Sequence, residues 1–390
     1  MNIVLVAPHQ WPIPTPAHTG HVVILDLAQA LVQRGHDVSL IAPEGTKRFG
    51  GSGGGSARLL SMNCSHGTAA PTAEHCERAA LVVHEPMLKA ADIIHDWSVE
   101  KHIADAYPDK SVSTVMSGNT SHPKHGRNVV VWSGEMRERA LRGASDYEGT
   151  EFTQWHSMSR PLKDARIVPG GVDTDWYTPA PLMSTPGGLP AGGPLVQDAA
   201  GRCFDYRKED FILWLGRWHE ARGYRLAIDV ARSMPDQQFV IAGEHPDDCT
   251  NDHQKQCAID ARQCAIGLGN VRNEWLPKDG HHEAKRELYR RARAFLFTPR
   301  FREPFGLSQV EALACGTPVV GTNIGSVPEV IENCVTGLVV EPFYLKQACE
   351  KVRNIRPEKC REEAVRRFDR KVMAANYVRA YEAALKGGWG

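Results

Sequence analysis

An α/β chain of two doubly wound halves is predicted by three features of the sequence. A continuous apolar run at residues 3–7, a glycine-ended loop, a helix at 22–34 and a second apolar run at 38–42 make one strand–turn–helix–strand unit. Residues 211–242 repeat that order, and a stretch rich in Pro and Gly at 178–201 lies between the two. Continuous apolar strands suit a parallel sheet covered on both faces. Such sheets bind ligands beyond the carboxyl ends of their strands. At 390 residues the chain is long enough for two domains of this kind. The expected division is 1–178, a linker at 179–208, and 209–365.

Bulk composition narrows the function classes. Lys plus Arg and Asp plus Glu both number 46, so net charge gives no case for nucleic acid or an anionic membrane as partner. No basic stripe with interleaved aromatics supports nucleic-acid binding either. The basic runs at 285–302 and 351–371 read as helices with solvated polar faces. The start, MNIVLVAP, has no basic region and no small-residue cleavage site, and no apolar run nears the ~20 residues of a membrane span. The ten cysteines lack CxxC pairs and read as reduced thiols of a cytoplasmic protein. His281 and His282 beside Glu283 read as a solvated loop, not as metal ligands.

In the first half, Gly35 stops the opening helix. Gly20, at its start, either lets a phosphate or sugar approach the backbone or only begins the helix. Residues 50–56, GGSGGGS, read as a flexible stretch resembling an engineered linker, with no chemistry. Strands are expected at 81–84, 92–95, 112–116 and 129–132, and a helix at 135–141. His95, in His-Asp-Trp at a strand end, is either a site residue or a histidine hydrogen-bonded to nearby backbone.

In the second half, a strand at 211–215 leads into Gly216-Arg217 and on to Arg222-Gly223. Two arginines five apart, between a strand and a helix, make a diphosphate clamp or an exposed pair. A helix is expected at 283–293 and a strand at 294–298. The stretch REPFGLSQVEALACGTPVVGT follows. Glu303 lies in its turn and Glu311 eight residues on, inside a helix whose first residues, Leu307 and Ser308, have N–H groups available to an anion. A surface helix needs neither acid there, whereas a site for a hydroxylated ligand uses both. A last amphipathic helix is expected at 366–386.

With these motifs in place the chain resembles the retaining glycosyltransferases of family 4, relatives of glycogen synthase and sucrose synthase. The motifs are Glu303-x7-Glu311, Gly216-Arg217-x4-Arg222-Gly223 (Arg for the usual Lys), Pro169-Gly170-Gly171-Val172-Asp173, Gly325-Ser326-Val327-Pro328-Glu329 and Thr336-Gly337. The match is closest over 166–341, looser over 1–42 and thin over 43–165. It implies the GT-B fold, two Rossmann-like domains facing across a cleft. The N-terminal domain would read the acceptor and the C-terminal domain would bind the donor. The helix at 366–386 would return to the first domain.

The resemblance implies a metal-independent hexosyltransferase without cofactor. Its donor is a nucleoside-diphosphate sugar, UDP-sugar first and GDP-mannose second. The acceptor is a hydroxyl compound: a sugar, a lipid-linked sugar or a small molecule. A peripheral membrane contact is left open. Carried over by position, Arg217 and Arg222 hold the diphosphate with the N–H groups of Leu307 and Ser308. Glu311 binds ribose hydroxyls, and Glu303 contacts the sugar and faces the reacting carbon. Gly20, Gly216, Phe305 and Gly306 complete the donor set, with His95 as a further catalytic candidate. One departure is clear. The family's Thr-Val-His is matched by Thr114-Val115-Met116, so the role passes to backbone at 117–119, or to His95, or the match lies elsewhere. Rival readings are another GT-B enzyme, a phosphorylase or epimerase, and an inactive nucleotide-sugar-binding protein.

Overall fold

The apolar run at the start of the chain forms β1 (Asn2–Val6), with Ile3 to Val6 fully shielded from solvent, as a central parallel strand requires. In this computed structural model the described residues are 1–8, 19–46, 55–62, 72–115, 123–146, 161–181, 196–197, 203–277 and 281–389. They fall into two units, Met1–Gly171 with Asp369–Gly390, and Val172–Phe368.

In the first unit, β1 is followed by α1 (Thr19–Gln33), β2 (Asp37–Ala42), β3 (Ala57–Ser61), α2 (Ala73–Val83), α3 (Glu85–Ala90), β4 (Ile93–Asp96), α4 (His102–Ala106), β5 (Ser111–Thr114), β6 (Val129–Val131), α5 (Gly134–Arg142) and β7 (Arg166–Ile167). The strands form one parallel sheet in the order β3-β2-β1-β4-β5-β6-β7. Residues 81–84, expected as a strand, instead end α2. Thr72 caps that helix through His75 N–H at 3.2 Å, and Cys76, Glu77 and Ala80 make its buried face. Val82 and Val83, whose β-branching suggested a strand, are exposed.

The second unit opens with three short strands, β8 (Ala180–Pro181), β9 (Val196–Gln197) and β10 (Cys203–Asp205), paired antiparallel with β10 in the middle. The stretch read as a bare linker therefore carries sheet structure. Next come β11 (Glu209–Leu215), α6 (Tyr224–Arg232), β12 (Gln238–Glu244), α7 (Asp252–Ala265), β13 (Val271–Leu276), α8 (His281–Arg291), β14 (Ala292–Phe297), α9 (Leu307–Ala314), β15 (Val319–Thr322), α10 (Val327–Val330), β16 (Gly337–Val340), α11 (Leu345–Lys351) and α12 (Pro357–Phe368). Its parallel sheet runs β13-β12-β11-β14-β15-β16. Strand order reverses between β11 and β14, and crevices for ligands open at such a point, beyond the carboxyl ends of the strands.

The single terminal helix expected at 366–386 is two. Asp369 takes an extended conformation after α12 and caps α13 (Arg370–Leu385) by accepting from Lys371 N–H at 2.7 Å. In α13, Arg370 donates to Gln29 at 3.1 Å and lies 3.7 Å from Asp26, both on α1 of the first unit.

Three further corrections concern local chemistry. His281 and His282 open α8 and are not in a loop, and His281 is buried. Lys285, placed by sequence on a solvated face, is 2% exposed. Cys76 is disulfide-bonded, so the expectation of thiols throughout does not hold; eight other cysteines are free. Met116, residues 117–119 and most of the 50–56 segment lie outside the described residues. Among the described residues no helix is long and apolar enough to cross a membrane.

Candidate active site

Two loops of the second unit leave neighbouring strands on either side of the switch point. One follows β11 and carries Gly216, Arg217 and Arg222; the other follows β14 and carries Glu303, Phe305 and Gly306. They are stitched together by backbone. Arg300 N–H donates to the Ala221 carbonyl at 2.8 Å, and Thr298 Oγ1 donates to the Gly223 carbonyl at 3.0 Å. Gly223 has φ +78°, and a Cβ there would fall 1.8 Å from the Thr298 carbonyl oxygen, so only glycine permits this approach.

The contact brings the first arginine–carboxylate pair into being. Arg222 Nη1 donates to Glu303 Oε2 at 2.6 Å, with the side chains 27% and 9% exposed, and the guanidinium lies 4.8 Å from the centre of the Phe301 ring. A charge-assisted bond of this length fixes both partners, yet the guanidinium has five N–H donors. Glu303 is positioned from below as well, since its carbonyl accepts from Ser326 N–H at 3.0 Å. Gly325, at φ +59°, packs so closely that a Cβ would sit 2.4 Å from Glu303 N. The Gly-Ser-Val-Pro-Glu turn thus supports Glu303.

Arg217 is half-buried in the same loop. Its charge acts on Glu244 at the end of β12, whose carboxyl is pushed up by burial and drawn back down by Arg217. The two arginines therefore serve different carboxylates.

Helix α9 begins beside Glu303. Gly306, at φ +77°, precedes it and no side chain caps it, while Gln309 N–H turns back to the Gly306 carbonyl at 3.0 Å. The N–H groups of Leu307 and Ser308 have no acceptor within the helix, which leaves the positive end of the dipole for an anion. Phe305 is buried against Phe368, with ring centres 5.7 Å apart.

Glu311 lies one to two turns further along α9 and is 3% exposed. Its Oε1 accepts from Lys285 Nζ at 2.9 Å and Tyr177 OH at 3.1 Å, and its Oε2 is 3.4 Å from Tyr289 OH. Burial holds both tyrosine hydroxyls in the protonated, donating form. The longer Tyr289 contact makes Oε2 the oxygen with capacity for another hydroxyl. Lys285, Tyr177 and Tyr289 were not picked out from sequence. A signal existed in α8, where His281, Lys285, Leu288 and Tyr289 recur at helical spacing and form one buried face.

The remaining candidates lie in the first unit. His95 is fully buried at the end of β4, with Nδ1 2.7 Å from Tyr381 OH and Nε2 2.7 Å from Thr114 Oγ1. Tyr377 OH also meets Thr114 Oγ1 at 3.0 Å and accepts from Trp132 Nε1 at 3.3 Å. Burial, then the nearby Lys101 charge, push the imidazole well below its ordinary range. A ring with both nitrogens engaged and no exposed surface ties α13 to the sheet. Gly20 lies in the first turn of α1.

Comparison with known proteins finds a family match and a shared fold. The family model described as Glycosyl transferases group 1 matches residues 204–370. Phosphatidyl-myo-inositol mannosyltransferase of Mycobacterium tuberculosis is 25% identical over 418 residues, covering 100% of this chain and 98% of the relative. Sucrose-phosphate synthase from Thermosynechococcus elongatus superposes with a TM-score of 0.69 at 18% identity, covering 99% of this chain and 100% of the other. Anabaena HepE in complex with UDP and glucose does so with a TM-score of 0.58 at 13% identity, covering 98% and 100%. The match to the glycosyl transferases group 1 model is confined to residues 204–370, the fold is that of the GT-B glycosyltransferases, and the chain is a glycosyltransferase.

Proposed function

We propose that the chain transfers a hexosyl group from a nucleoside-diphosphate sugar to a hydroxyl acceptor with retention of anomeric configuration, without a metal on the donor diphosphate. The observation that carries this reading is the Arg222–Glu303 pair set beside the uncapped start of α9. In such a transfer negative charge grows on the diphosphate as it leaves. Preorganised guanidinium groups and helix N–H dipoles stabilise that charge without reorganising. Arg217, Arg222 and the N–H groups of Leu307 and Ser308 supply them, which is the role a metal ion would otherwise take. Glu303 accepts from sugar hydroxyls and orients the ring, and Glu311 Oε2 accepts from the ribose. Gly216 and Gly306 let backbone come close to the donor, and Phe305 sets the turn. Gly20 stays in the donor set on the family resemblance alone. Retention rests on the family resemblance.

UDP-sugar is the first donor reading, supported by a structural neighbour bound to UDP. A mannosyl donor, GDP-mannose, is the second, supported by the relative whose name is a mannosyltransferase and which matches over the full chain. That relative also favours a lipid-linked inositol among the hydroxyl acceptors.

A melting-temperature screen against UDP-, GDP- and ADP-sugars selects the donor, because a ligand that binds only the native state raises the transition. The selected donor is then incubated with acceptor. Glu303→Ala should abolish turnover while the protein still melts cooperatively; turnover at the parent rate would overturn the site. Proton NMR of the product reads the new anomeric centre, and an inverted linkage would overturn retention. Added Mg2+ should not raise turnover of the chelated enzyme; loss on chelation that Mg2+ restores would overturn metal independence at the diphosphate.

A further inference from the structure

We propose that His219, Glu220 and His253 form a binding site for a zinc-type divalent cation, with Cys257 as the fourth ligand, clipping the loop after β11 to α7. His219 and Glu220 follow each other in that loop, and His253 and Cys257 are four residues apart on α7, which puts both on one face of the helix. One ligand atom from each of His219, Glu220 and His253 lies within 4.8 Å of the other two. His253 Nε2 is 2.9 Å from Glu220 Oε2 and 3.7 Å from Cys257 Sγ, and the two imidazole rings are 5.2 Å apart. A tetrahedral zinc ion with bonds of about 2.0–2.3 Å sets its ligand atoms roughly 3.3–3.8 Å from one another. The 2.9 and 3.7 Å separations fall near that range, the His219 atom lies within 4.8 Å of the Glu220 and His253 atoms, and Cys257 joins this triad through its contact with His253.

The donor set is chemically suited. Imidazole, carboxylate and thiolate are the ligands zinc takes. The His253 and Glu220 side chains are 47% and 28% exposed, so an ion can enter from solvent. His219 Nδ1 accepts from Ala221 N–H at 3.1 Å. A cation that binds the Cys257 sulfur displaces the thiol proton to solvent. Arg217 and Arg222 flank these residues in the chain, so the clip braces the segment that carries both arginines. His281 and His282, the adjacent pair in α8, do not belong to the cluster.

The cation needs no nucleotide-sugar, so the test is run without one and its outcome is independent of the transferase reading. The full chain, stripped with chelator, is titrated with Zn2+ alone by calorimetry. About one equivalent should bind. His253→Ala and Glu220→Gln should each weaken binding by more than about tenfold, and His75→Ala, an exposed histidine on α2, should leave it unchanged. Both cluster side chains reach solvent, and circular dichroism of each variant checks that the fold persists. With Co2+ as probe, a thiolate-to-cobalt absorption band should appear and vanish in Cys257→Ser. No stoichiometric uptake, or equal uptake by His253→Ala, overturns the site. A cobalt band that survives in Cys257→Ser removes the fourth ligand.

Discussion

At the scale of single residues, two carboxylates in one short stretch behave differently because of what each touches. Glu303 meets the fork of Arg222 near solvent, and Glu311 meets Lys285 in the interior. Replacing Arg222 by Lys keeps the charge but gives up the planar fork, so kcat should fall by roughly 10-fold, and by roughly 100- to 1,000-fold in Arg222→Ala, as for loss of one transition-state donor. Initial-rate kinetics at saturating donor decide it, and an Arg222→Ala enzyme with parental kcat would remove Arg222 from the chemistry. The inner pair makes a different prediction. With side chains 3% and 4% exposed, Lys285→Met strands a buried carboxylate and should cost about 3–5 kcal/mol. Adding Glu311→Gln should recover much of that loss in urea titrations, since a neutral amide no longer needs a counter-charge. Additive losses in the double variant would show that the two do not interact. Both acids could be read from sequence because an acid at each place had no surface purpose. Lys285 could not, because HHEAKRELYRR is dense in charge and looks solvated although one face is buried.

At the scale of elements, sequence reading succeeded where apolar runs were continuous and failed where burial used small or ambiguous side chains. Strands β1, β11 and β14 announce themselves as unbroken apolar segments. Helix α7 does not, since its inner face is Cys257, Ala258, Ala261 and Ala265, a stripe too small to give a strong period. At 81–84 the reverse happened, because two exposed valines at a helix end imitate a strand. The glycine turns carried the most reliable information, since each fixes a contact between loops. Gly325 is the sharpest instance: a Cβ would lie 2.4 Å from Glu303 N and 2.7 Å from its carbonyl oxygen, at φ +59°. Gly325→Ala should therefore lower the melting temperature by several degrees, for a strain of about 1–3 kcal/mol. It should also reduce kcat/KM well beyond the loss of folded protein, because the turn that moves is the one beneath Glu303. A variant that melts early yet turns over normally per folded molecule would separate the turn from the site.

At the scale of the whole molecule, strand order is what sequence could not supply. That β11 pairs with β14, and β1 with β4, is decided by the crossover topology and not by any local pattern, yet the β11–β14 pairing sets side by side the two loops that carry Arg222 and Glu303. Burial of titratable groups is equally a property of the assembled chain, and it sets a pH response. His95 in the first unit is pushed well below its ordinary value by burial, and His219 and His281 in the second to about 4. A histidine with a depressed folded pKa is neutral when folded and takes up a proton on unfolding. Its contribution is thus fully present above about pH 6.5, the unfolded value, and is lost as pH falls toward the folded value. For the fully buried His95 the slope approaches about 1.4 kcal/mol per pH unit in that window. Glu77 and Glu244, raised by burial, act in the opposite sense just above about pH 4.5, so the histidine effect is cleanest between pH 7 and 5.5. Urea titrations at half-unit steps should show stability falling steadily across that interval. His95→Gln, which keeps a hydrogen-bonding side chain but cannot titrate, should shallow the slope by close to one histidine's share even if it lowers stability throughout. Parallel curves for parent and variant would mean that His95 takes up its proton without unfolding, and that it is not sealed between α13 and the sheet.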